Sequence, residues 1–271
     1  MSRIVVANDQ SIQEASDLIR KGEIVVLPTE TVYGLGADAT SDEAVKKIFQ
    51  AKQRPAVNPL IIHLSNFDNL EEYADSHPKQ KALMSQFCPG PLTFILNKKE
   101  DAPISKFVTA GLDTIAIRFP AHPAMKQVIE RSEKPIAAPS ANRSGEPSAT
   151  TPQDVAKSLG KKIDMILAAG KCDVGLESTV LDLSGDTPTI LRPGAITKEK
   201  IEEIIGEVLV DEGNHEKPKS PGQLLKHYAP SIPVRLNAVD VNDGEALLAF
   251  GSTKFMGLKK GGAANELPEE S

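Results

Sequence analysis

Short apolar runs alternate with amphipathic stretches from the start of the chain to about residue 206. The runs are rich in β-branched residues and too short for helices, so each predicts a strand. They cover residues 23–28, 60–64, 92–96, 114–119, 135–138, 163–168, 178–183 and 188–192. Strands that alternate with helices predict an α/β domain built on one sheet.

Capping signals between the runs mark where helices begin and end. The candidate starts and stops are Ser11 with Glu14, Thr40 with Glu43, Thr151 with Pro152, Gly22 and Gly206. The last two runs flank Gly185-Asp186, which predicts an antiparallel hairpin at residues 178–192. We therefore expect a mixed, twisted sheet with flanking helices.

The composition changes after Gly206. Residues 207–231 are polar and rich in proline and glycine, which predicts a linker. Residues 232–271 hold two strand-like runs, VRLN and ALLAF, and then continue without a helical pattern. So short a segment buries too little apolar surface to fold alone. We expect a domain at 1–206, a linker at 207–231 and an incomplete α/β segment at 232–271.

The charge balance limits the class of partner. Lys and Arg number 31 and Asp and Glu number 37, a net charge of −6 that does not suit a protein coated with nucleic-acid phosphate. Cys88 and Cys172 lie far apart without metal-ligand spacing, which favours two free thiols in a reducing compartment. The chain shows no signal-peptide pattern and no run of apolar residues long enough for a membrane span. We expect a cytoplasmic protein.

Polar residues gather in three segments beside predicted strands. Residues 28–39, PTETVYGLGADA, are predicted to form a loop at the carboxyl end of a strand, where ligands bind in open sheets. An extended conformation at residues 52–59, KQRPAVNP, would direct Lys52 and Arg54 to one side, as two cations suited to a polyphosphate or a carboxylate. Ser140 and Asn142 repeat this spacing. Each segment by itself also fits an ordinary surface loop.

Two polar residues interrupt apolar strands. Arg118 ends the run TIAIRF and needs a partner or a ligand, whereas His63 in LIIHL is more typical of a satisfied core residue. Gly34 and Gly36 nominally match a dinucleotide fingerprint, but they follow the strand too late and no acid lies at the required distance. Walker A, GxSxG, HExxH, kinase and zinc-deaminase signatures are absent from the sequence.

Seven segments, taken in order, resemble the Sua5/YciO/YrdC family. They are PTETVYGLGADA, KQRP with NPLIIH, CPGPLTFIL, IAIRFPAHP, PIAAPSANRSGEPS, ESTVLDL and ILRPGAI. The resemblance extends through most of residues 5–206, and residues 220–230, SPGQLLKHYAP, are similar to the linker of the longer Sua5 branch. Members of that branch continue through a larger C-terminal domain than the one that follows here.

The resemblance implies a YrdC-like fold and a nucleotidyltransferase, an L-threonylcarbamoyladenylate synthase. Such an enzyme condenses L-threonine, bicarbonate or CO2, and ATP, and it releases pyrophosphate. Mg²⁺ would accompany ATP, without a metal site on the protein. The product would pass to tRNA threonylcarbamoyl transferase proteins, which modify adenosine 37 of tRNA. No stable tRNA binding is expected, in agreement with the acidic charge.

The resemblance also implies roles for individual residues. The catalytic signature falls on Lys52, Arg54, Ser140 and Asn142. The ATP contacts would be Arg54, Asn58, Thr114, Ser140, Ser148, Arg192 and, from the linker, Tyr228. The threonine contacts would be Thr31, His63, Arg118, Ala138 through its backbone, and Ser178.

Two other functions stay open. An RNA-binding module could present Lys and Arg on the rim of a concave surface, but the acidic charge and the 4% aromatic content argue against it. A relative that transfers carbamoyl groups to acceptors other than threonine is the second alternative. Substrate preference would separate it from a threonine-specific enzyme.

Overall fold

The computed structural model describes residues 2–55, 58–76, 78–211, 234–236, 240–242, 245, 247–250 and 264–267. The chain divides into two compact units, Met1–Ala229 and Pro230–Ser271. The domain boundaries expected at residues 206 and 231 stay predictions, because nearly all of the linker lies outside the described residues. No helix in the described part is long and apolar enough to cross a membrane.

In the described residues of the first unit, eleven strands form one sheet. They are β1 (Arg3–Val6), β2 (Val25–Leu27), β3 (Gly34–Asp38), β4 (Ile61–His63), β5 (Leu92–Asn97), β6 (Thr114–Arg118), β7 (Ile136–Ala137), β8 (Met165–Ala168), β9 (Thr179–Asp182), β10 (Thr189–Arg192) and β11 (Leu209–Val210). The order across the sheet is β1-β8-β2-β3-β7-β4-β6-β5-β9-β10-β11.

This sheet contains both parallel and antiparallel pairs, which confirms the mixed α/β class. β4 pairs with β6 and β5 with β9 in parallel, whereas β5 and β6 are antiparallel. The hairpin predicted at residues 178–192 is confirmed, because β9 and β10 are antiparallel and Thr189 lies opposite Asp182. Short polar turns at Gly185-Asp186 suit such a connection.

Eight α-helices are present among the described residues. They are α1 (Asp9–Arg20), α2 (Asp42–Lys52), α3 (Leu70–Tyr73), α4 (Pro78–Phe87), α5 (Lys106–Thr109), α6 (Pro123–Ser132), α7 (Pro152–Leu159) and α8 (Lys198–Ile205), with a 3-10 turn at Gly160–Lys162. The predicted start of α7 is confirmed, since Thr151 caps it and Asp154 completes a capping box.

The predicted caps of α1 and α2 are wrong by a few residues. In α1 the cap is Asn8, whose side chain accepts a hydrogen bond from the Ser11 N–H at 3.0 Å, so Ser11 is the third helical residue. In α2 the cap is Ser41, because the Thr40 hydroxyl donates to Asp38 Oδ1 at 2.7 Å instead. Each helix start has several neighbouring residues that can form an N-cap, so tertiary contacts decide which of them does so.

The segment predicted as a loop at residues 28–39 contains a strand. β3 is buried along its whole length and lies between β2 and β7. Its sequence, GLGAD, carries no β-branched side chain and so no strand signal. A Cβ atom at Gly36 would lie 2.9 Å from Leu27 Cδ1 and 3.0 Å from Ile136 Cγ2. Glycine at this position therefore serves close packing between neighbouring side chains.

Apolar side chains form three buried clusters. The largest includes residues of α2, α4, α5, α7 and α8, and the second includes residues of α1 and α6. The third is made of strand residues alone: Ile61, Ile95, Ala116 and Val180, with Leu191 packed against them. Because side chains alternate along a strand, His63 and Arg118 lie on the same face as the third cluster.

The two cysteines are free, as expected. Cys88 is half-buried and Cys172 is buried. Burial raises the pKa of the Cys88 thiol to about 12 and that of the Cys172 thiol to about 11. Both side chains are therefore neutral thiols at physiological pH.

In the second unit, β12 (Leu247–Phe250) pairs in parallel with β13 (Ala264–Leu267). The prediction of a strand in the ALLAF run is confirmed. The strand predicted from VRLN is not found at residues 234–236. There Arg235 forms exposed ion pairs with Asp240 and Glu245.

Candidate functional site

A cleft of about 410 Å³, including its open mouth, lies at the ends of several strands. β4 and β6 are parallel and in register, so His63 lies opposite Arg118 at their carboxyl ends. The segments after β2 and β7, the residue before β9 and the end of β10 complete the walls. Residues predicted to bind substrate line it as follows: Thr31, Arg54, His63, Arg118, Ala138, Ser140, Ser178 and Arg192.

Arg118 is buried and paired with Glu30. Arg118 Nη2 lies 2.6 Å from Glu30 Oε1, and Arg118 Nε donates to the Gly90 carbonyl at 3.2 Å. The second oxygen of Glu30 accepts the Ala121 N–H at 3.1 Å. Both side chains are at most one tenth exposed. The guanidinium is therefore held in a fixed orientation, with two of its five N–H donors used in these bonds.

His63 is a neutral imidazole. Its Nδ1 lies 3.3 Å from the Ile136 carbonyl oxygen, which can only accept, so Nδ1 carries the proton and Nε2 is an acceptor. Burial, assisted by the positive charge of Arg118, lowers the pKa of His63 to about 3. The two interpretations of His63 are compatible, since it is a satisfied buried residue that also lines the cleft.

Acidification is expected to destabilise the protein through His63. Because its pKa is 6.5 unfolded and about 3 folded, its contribution is present above pH 6.5 and is lost as the pH falls. Between about pH 7.5 and pH 5.5 this loss is about 1.4 kcal/mol. Urea unfolding at both pH values measures it, with His63→Gln as the control. An equal pH dependence in the two proteins would contradict this origin.

Two hydroxyl groups, of Thr31 and Ser178, line the cleft together with Arg118 and His63. Thr31 Oγ1 lies 2.9 Å from Thr29 Oγ1, and Ser178 Oγ lies 2.8 Å from Thr93 Oγ1. The Ala138 N–H already donates to the Ile61 carbonyl at 3.0 Å, so a backbone contact from Ala138 to a ligand would use its carbonyl oxygen. These groups can orient a small polar ligand that carries a carboxylate.

A second Arg–Glu pair lies at another wall of the cleft. Arg192 Nη1 pairs with Glu177 Oε2, and Ser148 Oγ donates to Glu177 Oε1 at 2.6 Å. Arg192 Nε and Nη2 also donate to the Ser178 carbonyl, at 3.1 and 2.9 Å. Two residues predicted to contact ATP, Ser148 and Arg192, therefore both donate hydrogen bonds to the carboxylate of Glu177.

The expectation that Lys52 and Arg54 point the same way from an extended segment is wrong. α2 continues through Lys52, and Gln53 then adopts a left-handed conformation with φ 54°. The side chains of Lys52 and Arg54, on either side of Gln53, therefore point in different directions. Arg54 lines the cleft. Lys52 is only 1% exposed, and its ammonium group donates to the carbonyl oxygens of Ser140 and Asn142. Burial lowers the pKa of Lys52 to about 7.

The segment with Ser140 and Asn142 is also not extended. The Asn142 N–H donates to the Ser140 carbonyl at 3.0 Å, which closes a tight turn. The Asn142 amide donates to the carbonyls of Arg143 and Glu146 at 2.8 and 2.7 Å. Asn142 therefore holds residues 142–146 together, whereas Ser140 faces the cleft.

Two further predicted ATP contacts, Asn58 and Thr114, are not among the described residues that line the cleft. Asn58 is buried, and its Oδ1, like that of Asn142, has no hydrogen-bond partner among the described residues. Thr114 is the first residue of β6, and its side chain is on the same face of the sheet as that of Arg118. It lies two residues before Ala116, which is opposite Ile61 on β4. The predicted lid residue Tyr228 lies outside the described residues.

Sequence reasoning did not assign a role to either glutamate. Glu30 was noted only as one polar residue in its loop, and Glu177 was not singled out. The hairpin register offers a signal for Glu177, since Arg192 lies opposite Val180, three residues after the glutamate. An acid and an arginine brought together at one end of a hairpin are expected to pair.

Two family models match the chain. One, described as telomere recombination, is the Sua5_yciO_yrdC model and matches residues 17–194. The other is described as the C-terminal domain of threonylcarbamoyl-AMP synthase and matches residues 196–263. Together they cover most of the sequence.

Curated relatives are similar over most of this chain. Threonylcarbamoyl-AMP synthase of Bacillus subtilis is 51% identical over 233 residues, which are 84% of this chain and 67% of that protein. The synthase of Pyrococcus abyssi is 48% identical over 228 residues, 82% of this chain and 66% of that protein. The chain thus spans about two thirds of the length of these relatives.

Solved structures share the fold. The crystal structure of P. abyssi Sua5 complexed with L-threonine has a TM-score of 0.81 and 45% identity, and the match covers 85% of this chain and 70% of that one. The crystal structure of E. coli YciO has a TM-score of 0.64 and 25% identity, and the match covers 72% of this chain and 97% of that one.

Proposed function

Because the chain belongs to the Sua5/YciO/YrdC family, we propose that it is a threonylcarbamoyl-AMP synthase, a nucleotidyltransferase that condenses L-threonine, bicarbonate or CO2, and ATP. The names of the curated relatives support this activity. The observation that carries the proposal is the cleft itself, in which an oriented, buried arginine lies beside a neutral histidine and near two further arginines. Such a site suits an amino acid together with a polyphosphate.

L-threonine is proposed to bind at the Arg118–His63 end of the cleft. Arg118 keeps N–H donors beyond its bonds to Glu30 and Gly90, and a guanidinium matches a carboxylate in geometry and charge. Nε2 of His63 can accept a hydrogen bond from the amine or the hydroxyl of threonine. The related P. abyssi structure, which is described as complexed with L-threonine, supports this substrate.

ATP is proposed to bind at the wall formed by Arg54, Ser140 and Arg192. These residues line the same cleft as the proposed threonine site, which permits the two substrates to react. Arginine side chains are well suited to phosphate oxygens. Asn58, Thr114, Ser148 and Tyr228 stay proposed contacts to the rest of the nucleotide.

The proposed reaction begins when the amine of threonine adds to CO2 and loses a proton, which gives a carbamate. A carbamate oxygen then attacks the α-phosphorus of ATP. The bond between the α-phosphorus and its bridging oxygen breaks, and pyrophosphate leaves. Because the nucleophile is already anionic, catalysis depends on positioning and on neutralising charge more than on a strong base.

Mg²⁺ is proposed to enter as the complex with ATP. The described residues contain no group of three His, Cys, Asp or Glu side chains that could hold a metal ion. Mg²⁺ is commonly bound through substrate phosphates and water. Bound there, it would supply positive charge that stabilises the leaving pyrophosphate.

The activated product is proposed to pass to separate tRNA threonylcarbamoyl transferase proteins in the cytoplasm. This enzyme then has no need to hold tRNA, and the net charge of −6 supports such a division. Filter binding to tRNA at physiological salt tests this point. Retention of tRNA without any turnover of ATP and threonine would favour the RNA-binding alternative.

The activity is tested by mass spectrometry. The protein is incubated with ATP, Mg²⁺, isotope-labelled bicarbonate and threonine, and we expect labelled threonylcarbamoyl-AMP together with an equal amount of pyrophosphate. Reactions without threonine, or with serine in its place, are the controls. Failure to form the adenylate from all the substrates would contradict the proposal, and equal use of carbamoyl phosphate would favour the carbamoyl-transfer alternative.

A further inference from the structure

Glu177 occupies a position in the cleft that suits an anion. Its two oxygens accept from Ser148 Oγ and from Arg192 Nη1, and its side chain is only 11% exposed. The two donors come from separate parts of the chain, the loop before α7 and the end of β10. Glu177 and Arg192 both line the cleft, so a ligand there lies beside the carboxylate and beside the arginine that pairs with it.

Arg192 does not depend on Glu177 for its orientation. Its Nε donates to the Ser178 carbonyl, and its Nη2 donates both to that carbonyl and, at 3.0 Å, to Ser178 Oγ. These bonds fix the plane of the guanidinium through neutral acceptors. The bond to Glu177 is therefore one that an anionic ligand can replace without turning the arginine.

We propose that Glu177 is a displaceable internal anion, which holds Ser148 and Arg192 until a phosphate oxygen of the nucleotide replaces its carboxylate. This inference rests on the proposed function. Its physical basis is that a carboxylate beside a triphosphate repels it and competes for the same donors. Glu177 thereby lowers the affinity for ATP and for pyrophosphate, and it assists departure of the product.

Glu177→Gln tests the proposal, because the amide keeps the shape of the side chain and removes its charge. We expect this variant to bind ATP and pyrophosphate at least about fivefold more tightly than the wild type, because this charge pair is only about one tenth exposed and is screened less than a surface pair. Pyrophosphate should also inhibit turnover at correspondingly lower concentration. Isothermal titration with ATP and with pyrophosphate measures both affinities without any need for turnover.

Two controls accompany the titration. Glu177→Asp keeps the charge and should bind neither ligand more tightly, and Glu130→Gln makes the same charge change on the surface of α6 and should leave both affinities unchanged. Thermal unfolding verifies that each variant is folded. Unchanged or weaker binding of ATP by folded Glu177→Gln would overturn the proposal. Absence of ATP binding in the wild type would instead contradict the proposed function.

Discussion

Replacement of Lys52 by alanine is expected to reduce threonine- and bicarbonate-dependent release of pyrophosphate at least about a hundredfold, equivalent to about 2.7 kcal/mol in the activation barrier. The ammonium group lies against two carbonyls and not in the cleft lining, so its effect is transmitted through the segment that carries Ser140. Loss of the donor leaves two buried carbonyls to be satisfied, at about 1–3 kcal/mol each. Lys52 is in this sense a positioning residue.

Measurements of both threonine binding and turnover distinguish a positioning role of Lys52 from a general loss of structure in the Lys52→Ala variant. Because the threonine end depends on Arg118 and His63, folded Lys52→Ala should still bind threonine within about threefold of the wild type, whereas turnover with ATP is lost. Lys47→Ala is the matched control on the same helix, since Lys47 pairs with Glu23 and donates to the Gly22 carbonyl. Near-normal turnover in Lys52→Ala would contradict the role of Lys52.

Replacement of Arg118 by alanine is expected to have the largest effect on stability. It leaves Glu30 buried without its ionic partner, which destabilises the folded state by about 3–5 kcal/mol. The same change removes the proposed carboxylate ligand, so we expect no measurable binding of threonine. Urea unfolding and threonine titration measure the two effects.

A double variant distinguishes these two effects. Arg118→Ala combined with Glu30→Gln should regain part of the lost stability, because no buried charge is left unpaired, but it should not regain threonine binding. Arg3→Ala is the control for an exposed pair, with Glu14, and should change stability by about 1 kcal/mol or less. Threonine binding by the double variant would show that Arg118 does not hold the carboxylate.

The eight strands predicted between residues 23 and 192 are found in the structure because their apolar runs are long enough to show a pattern. β1 was missed, although its sequence RIVV is β-branched and fits a strand. β3 was not predicted, since glycine and alanine at its buried positions are selected by close packing that only the assembled sheet reveals. β11 was not predicted either: it is two residues long and exposed, and it is held by pairing with β10. Strands of these kinds depend on tertiary context more than on propensity.

Residues of the site could be predicted where a polar or charged side chain occurs within an apolar strand. Arg118 and His63 stand out in apolar strands, and the structure places both in the cleft. The direction of Lys52 was not predictable, because it depends on carbonyl groups about 90 positions away in the sequence. That of Asn142 was not predictable because it depends on a tight local turn. The roles of Glu30 and Glu177 depend on arginines 88 and 15 positions away along the chain. The sequence therefore predicted which residues form the site better than it predicted the hydrogen bonds and ion pairs between them.

The pairing of two cleft arginines with glutamates has a kinetic consequence. Arg118 with Glu30, and Arg192 with Glu177, form two compact dipoles whose fields fall off faster with distance than that of an isolated charge. These pairs therefore add little to the long-range attraction that draws anions from bulk solution. We therefore expect the rate of association of anionic ligands with these two arginines to depend only weakly on salt concentration.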